Sequence, residues 1–571
     1  MRKGSSEDEH TLCRRKVLAG GAAIALDGLF WLKAPSARAQ EGAASPLEID
    51  VQLVGVPQAE LDAAAQALES GSQELRAVPR RRRMRVLAMR AVDPEERGKS
   101  ATESARRATR WRAIAYDYAS EQALMFEGRL GDSGPDRQLV VPGQPLPSPA
   151  EWDEARDTLL RHDEFGPRLR SGDLIAYPPM PPVLDGRRRW VTVGLLPARL
   201  TIDGPRHEIV AVSLADGSTR RFVARVPESA VAGSGPVCGA PFAARQGVTG
   251  QGTAGEYAIT IRRRGTEYWT FTAVRPSASA GRRGSGVELR DVRYRGRKVL
   301  HQAHVPILNV KYDGDACGPY RDWQYSESML QASGTSVAPG FMLTAGRPAT
   351  IIQSGTDVGN FLGTAVWIDG EEVTLMAELE AGWYRYTSQW TLHTDGTIKP
   401  RFGFAAIQNA CVCNVHHHHT YWRPSFDIGT ADGNFVQQGG GQNWRVLPRE
   451  AMAFRDRDFR RRWRVGNRNL AASYEIRPNP TDGLARASSD WPFPVGDLWF
   501  LRYRPGQIDD GVDVSTGPVA ARLSRFVNRE PIDGADLVVW YASHFMHDQG
   551  AVEEPGGHDH VVGPDLVPVN W

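Results

Sequence analysis

Four consecutive histidines, His416–His419, stand inside the stretch NVHHHHTYWRPSFD (414–427), flanked by β-branched and aromatic residues. Imidazole nitrogens bind copper and zinc. Along a strand, successive side chains alternate between faces. Either His416 with His418, or His417 with His419, can therefore offer two nitrogens to one ion, and a third ligand must come from elsewhere. Two imidazoles and a distant third suit Cu(II) or Zn(II). On its own the run also reads as a polar strand edge with solvated histidines. His544 and His547, in VVWYASHFMHD (538–548), would face opposite sides of a strand, so only one of them joins such a pair. His558 and His560 read as solvent-exposed, with a second metal site as the alternative. Asp427 and Asp432 are candidates for a peripheral calcium site, although acidic loop residues are usually just solvated. Tyr384 and Tyr386 lie in a strand-like stretch, GWYRYTSQWTLHTDGTI (382–398), where most tyrosines serve packing.

Such residues need a rigid scaffold, and the patterning predicts one. The fold class expected is mainly β: two small α+β domains followed by a large antiparallel β-sandwich. Residues 46–145 alternate helix-like LDAAAQALES with strand-like RVLAMRAVD, WRAIAYDYA and ALMFEGRL. Residues 146–227 form the second unit. It opens on PSPAEWDEARDTLLRH, where Ser148 is an N-cap, Pro149 suits the first helical position and Glu151 completes a capping box. A Gly/Ala/Ser-rich linker is expected over 228–256. From 257 to 571 short strands and Gly/Asp turns recur, the pattern of a sandwich that would hold the metal. VQQGGGQNWRV (436–446) is expected to be a surface loop.

Composition narrows the function classes. The 571 residues carry 69 Lys and Arg against 67 Asp and Glu, a net charge of +2, so nothing calls for a nucleic-acid partner. The arginine runs at 80–85 and 460–464 read as solvated faces or ion-pair networks. Residues 1–39 resemble a twin-arginine export signal: Arg14 and Arg15 precede an apolar stretch that ends in Ala37-Arg38-Ala39. That stretch contains Asp27 and is too short to span a membrane comfortably, so no span is expected after cleavage. The expected location is periplasmic or secreted. Cys238, Cys317, Cys411 and Cys413 would lie in a compartment that permits disulfides, with connectivity left open.

An ordered set of motifs resembles the copper amine oxidases. GVELRDVRYRGRKVLHQAHVPILNVKYDGDACGPYRDWQ (286–324) looks like the opening of their catalytic sandwich. The stretch 382–398 resembles the strand whose tyrosine becomes topaquinone, which puts Tyr384 at that position. HHHHTYWRPSFD resembles the family's His-x-His strand, in which an arginine follows the second ligand by five residues. Arg423 then selects His416 and His418, and VVWYASHFMHD supplies His547 as third ligand. The resemblance implies copper(II), a topaquinone derived from Tyr384, and oxidation of a small primary amine by dioxygen to aldehyde, ammonia and hydrogen peroxide. It also implies that Tyr312 hydrogen-bonds the cofactor, and that the protein is a homodimer. A carboxylate base is needed. Gapless counting places Ser328 there, one deletion brings in Glu327, and Asp322 is a further substitute. The chain departs from the family pattern at Trp383 and Arg385, where asparagine and an acidic residue are usual. A non-catalytic copper-binding protein is the alternative function, and a zinc hydrolase on the same histidines a weaker third.

Overall fold

The computed structural model describes residues 45–571 apart from 75–83, 93–98, 100–109, 133, 142–144, 146, 180–187, 199–207, 224–238, 242–248, 251–254, 280–285, 312–319, 322–326, 409–411, 413–415, 459, 488–494, 505–506, 508–521 and 548–560. Among the described residues the strands form a 10-stranded sheet, a 12-stranded sheet and two 4-stranded sheets. The first small sheet orders Met84–Ala91, Arg110–Asp117, Gln122–Arg129 and Pro135–Val141 as an antiparallel meander. The helix Gln58–Glu74 lays Leu61 and Leu68 over its Trp111, Ala113 and Phe126. In the second, the helix Pro149–Arg161 packs Ala155 and Leu159 on Val191, Val193 and Val210. Its capping box forms: the Glu151 amide donates to Ser148 Oγ (3.2 Å), and the Ser148 amide donates to Glu151 Oε2 (3.0 Å). Glu151 also accepts from the buried Arg189 and from Tyr118 of the first unit, so one carboxylate ties both units together.

The two large sheets pack face to face as the expected sandwich, around a core of aromatic and branched side chains. Among the described strands pairing is antiparallel except where Phe341–Thr344 runs parallel to Thr364–Asp369. Two differences from the sequence reading stand out. Glu48–Leu53, assigned to the first small unit, pairs instead with Glu256–Arg263 and forms an edge of the 10-stranded sheet. Residues 436–446 are a β-hairpin, Asn434–Gly440 with Asn443–Leu447, rather than a loop. Its glycines answer to close approach: a Cβ on Gly439 would lie 2.0 Å from the Asn443 carbonyl oxygen. Among the described residues no helix is long and apolar enough to cross a membrane.

Candidate metal centre

Three strands meet across the gap between the large sheets. The tyrosine strand, Tyr384–His393, belongs to the 12-stranded sheet and follows Glu372–Ala381 through a two-residue turn. Gly382 there has φ of 60°, as a tight hairpin turn demands, so Tyr384 enters the strand at its first residue. The histidine strand, His416–Phe426, and the strand Leu537–His547 are neighbours in the opposing sheet. Their antiparallel register sets His416 opposite His547 and His419 opposite His544. His416 opens its strand, and its side chain lies outside the described set.

Alternation sends Tyr384 and Tyr386 inward together with His418 and His547. The Tyr384 hydroxyl lies 3.2 Å from His547 Nδ1, and the Tyr386 hydroxyl 3.1 Å from His418 Nδ1. The Tyr384 ring meets His418 edge-on, with centroids 4.6 Å apart. Phe404 and Phe545 flank His418 at 4.3 and 5.4 Å between centroids. His418 is fully buried, and His547 and Tyr384 are nearly so. A phenol oxygen and an imidazole nitrogen 3.2 Å apart have the spacing of two ligands on one ion with bonds of about 2 Å. The Tyr386 contact at Nδ1 orients His418 with Nε2 as its candidate donor, the outer-sphere hydrogen bonding that metal-binding imidazoles use. Among the described residues, no three His, Cys, Asp or Glu side chains form a ready metal cage.

No family model matches the chain, and no curated protein matches it in sequence. Solved structures do match. A copper-containing benzylamine oxidase from Hansenula polymorpha aligns with a TM-score of 0.52 at 11% identity, over 93% of this chain and 94% of that one. The Pichia pastoris lysyl oxidase PPLO aligns at 0.51 and 12% identity, over 86% and 85%. The fold is that of the copper amine oxidases.

On this copper amine oxidase fold, the remaining expected residues fall in different places. Glu327 bridges to Leu379, the partner of Tyr386, which puts its backbone roughly 10 Å from the tyrosine strand. Arg275 grips both its oxygens, through Nε at 2.8 Å and through Nη2, and the Ser277 amide and hydroxyl donate to it as well. The pair lines a cavity of about 360 Å³ together with Gln58, Met89 and Arg90 of the first small unit. Ser328 is buried, and its amide donates to the Glu378 carbonyl. Tyr312, Asp322, His558, His560 and all the cysteines lie outside the described residues.

Of the two aspartates named for calcium, Asp427 has its carboxylate taken by Lys99 (2.5 Å) and Lys298 (3.2 Å), while Asp432 is exposed. Lys99 also reaches Asp536 at 2.6 Å, so an ammonium already sits between the two acids. Arg423 faces away from His418. Its guanidinium donates to the Gln507 carbonyl and to Gln302 Oε1, on the reverse side of the sheet.

Sequence reasoning missed what lies behind Tyr384. Arg385 points to the opposite face, where it donates to both oxygens of Asp357 (3.0 and 2.8 Å) and lies 3.6 Å from Glu380. It also donates to the Gly382 and Tyr384 carbonyls, both at 3.1 Å, and so fastens the turn that presents the tyrosine. Burial opposes the Arg385 charge, but Glu380 and Asp357 outweigh it and raise its pKa above the ordinary value. Burial, with Asp357 nearby, pushes Glu378 up to about 8. The signal available in the sequence was a pair of glutamates, Glu378 and Glu380, alternating with Ala377, Leu379 and Ala381 at the buried end of the strand EVTLMAELEA.

Proposed function

We propose that the protein is a copper-dependent primary-amine oxidase in which Tyr384 supplies the quinone and His416, His418 and His547 hold the metal. The observation that carries this reading is the 3.2 Å approach of the Tyr384 hydroxyl to His547 Nδ1, with His418 against the same ring. Held by these histidines, copper would supply, with dioxygen, the oxidising power for the tyrosine ring, and a quinone at Tyr384 would supply the electrophilic carbonyl for a primary amine. The chain's own residues do the rest. Tyr386 fixes the His418 ring, and Phe404 and Phe545 keep the imidazoles dry. Arg385, anchored on Asp357, holds the Tyr384 backbone and keeps its own charge out of the gap. Export by the twin-arginine route and assembly as a homodimer belong to the same proposal. The test is peptide mass and visible absorption at Tyr384 after aerobic copper loading. A quinone band and an oxidised Tyr384 peptide are expected, and an unmodified peptide would sink the reading.

A second reading is a copper-binding protein without turnover. It is favoured by Glu327, whose carboxylate is committed to Arg275 and Ser277. Stoichiometric copper with no peroxide release across a panel of primary amines would select it.

A further inference from the structure

Lys99 lies in the chain between Met84–Ala91 and Arg110–Asp117 of the first small unit, yet its side chain ends on the sandwich. Its partners stand at the far ends of the two histidine-bearing strands. Asp427 directly follows His416–Phe426, and Asp536 directly precedes Leu537–His547. Phe426 pairs with Leu537, so one step beyond that pair Asp427 faces Asp536. Lys99 Nζ lies 2.5 Å from Asp427 Oδ1 and 2.6 Å from Asp536 Oδ1. Tyr503 covers the amine, with its ring centroid 4.4 Å away, and its amide donates to the Asp536 carbonyl at 2.9 Å.

An amine, a carboxyl carbon and a second acid held together are the parts of a site that makes an amide. A nitrogen this close to a carboxylate oxygen lies about 3–3.5 Å from its carbon, the separation of reacting atoms in a near-attack geometry. The Lys99 side chain is 11% exposed and that of Asp427 only 2%, so little water competes for that carbon. Asp536 can hold and pass a proton near neutrality: burial raises it to about 6, against the pull of Lys99 and with Asp427 adding to the rise. Lys298 stands on the other side, 3.2 Å from Asp427 Oδ2, where its charge steadies the oxygen that stays. Lys298 is the poorer nucleophile for this carbon, being farther away and shared with Asp291 at 3.4 Å.

We propose that Lys99 and Asp427 close an intramolecular isopeptide bond, with Asp536 as the proton carrier, and that this bond fastens the first small unit to the strand pair bearing the histidines. The ion pair is its precursor. Nζ passes a proton to Asp536 and attacks Asp427 Cγ as the neutral amine. The C–N bond forms, and Oδ1 leaves as water with the two protons that Nζ gives up, one of them returned by Asp536. Oδ2 remains as the amide oxygen beside Lys298. Ammonium and carboxylate become amide and water, so atoms and charge balance without an oxidant or an activating group. The bond needs neither copper nor a quinone, and stands apart from the reading of Tyr384.

The methionines make the test direct, because the four residues fall in four different methionine-bounded fragments. Lys99 lies in 90–125, Lys298 in 181–329, Asp427 in 377–452 and Asp536 in 453–546. The full chain is folded, then reduced, denatured, cleaved with cyanogen bromide and mapped by mass spectrometry. Expected is a species joining 90–125 to 377–452, lighter by one water than the two fragments together. Lys99→Arg keeps a cation between the acids and should abolish the joined species. Asp536→Asn keeps the shape without the acid and should reduce it at least tenfold. The wild-type map decides the bond by itself, whether or not a variant folds. Separate fragments in the wild type, a link running through Lys298 or Asp536, or a link undiminished in Asp536→Asn would each overturn the proposal.

Discussion

The Tyr384 hydroxyl stands 3.2 Å from His547 Nδ1, joining the two large sheets across their gap. Each residue comes from the end of a strand: Tyr384 begins one, and His547 ends another. The contact therefore depends on both sheets holding their stagger, which the aromatic core between them enforces.

Tyr384→Phe deletes this contact. Stability should fall by about 1 kcal/mol, the net worth of one buried hydrogen bond. Quinone absorption after copper loading should vanish altogether. Denaturant melts and visible spectra on the same preparation check both. His547→Ala should instead lower copper content, read by metal analysis.

Glu327→Gln separates a base from a brace. The carboxylate is in a buried, bidentate pair with Arg275, and removing its charge weakens the counter-ion that a buried guanidinium grips through two nitrogens. A loss of about 3 kcal/mol is expected, with copper binding unchanged. Chemical denaturation gives the first number and metal analysis the second.

Glu378 makes stability depend on pH. Burial raises its folded pKa to about 8, far above its unfolded value, so the native state binds more protons between the two. Its contribution is complete below the ordinary carboxylate range and is lost as pH rises towards 8. Glu378→Gln should flatten that slope, by an amount on the order of a few kcal/mol across the window. Melting curves at several pH values, wild type against variant, decide it.

Lys99→Met removes the ammonium between Asp427 and Asp536. Burial, with Asp427 nearby, raises Asp536 to about 6 even with the lysine present, so the variant drives that acid further up. A destabilisation of about 3 kcal/mol at neutral pH, smaller in mild acid where Asp536 is protonated, is expected from denaturation at the two pH values.

Alternation and turn chemistry made the sandwich legible in the sequence. They are local properties, and strands obey them. Long-range partners were not legible. Glu327 fits the spacing of a base, yet Arg275, fifty-two positions earlier in the chain, decides its role. Arg385 reads as a cation intruding on a cofactor until Asp357 is placed beside it. The hairpin at 436–446 was hidden by its glycines, which signal a loop locally but answer to the Asn443 and Arg460 carbonyls.

One consequence of the histidine run concerns how its strand finds its place. Four identical neighbours carry no phase: a slip by one residue would still present two imidazoles to either side. The penalty for a slip is imposed downstream. Tyr421 and Trp422 are buried on opposite faces, and Arg423, with no exposure, is hydrogen-bonded to Gln302 and to the Gln507 carbonyl. Shifting the strand would drive that guanidinium into the apolar gap between the sheets. The ligands are interchangeable in sequence, and residues 421–423 are what tell them apart.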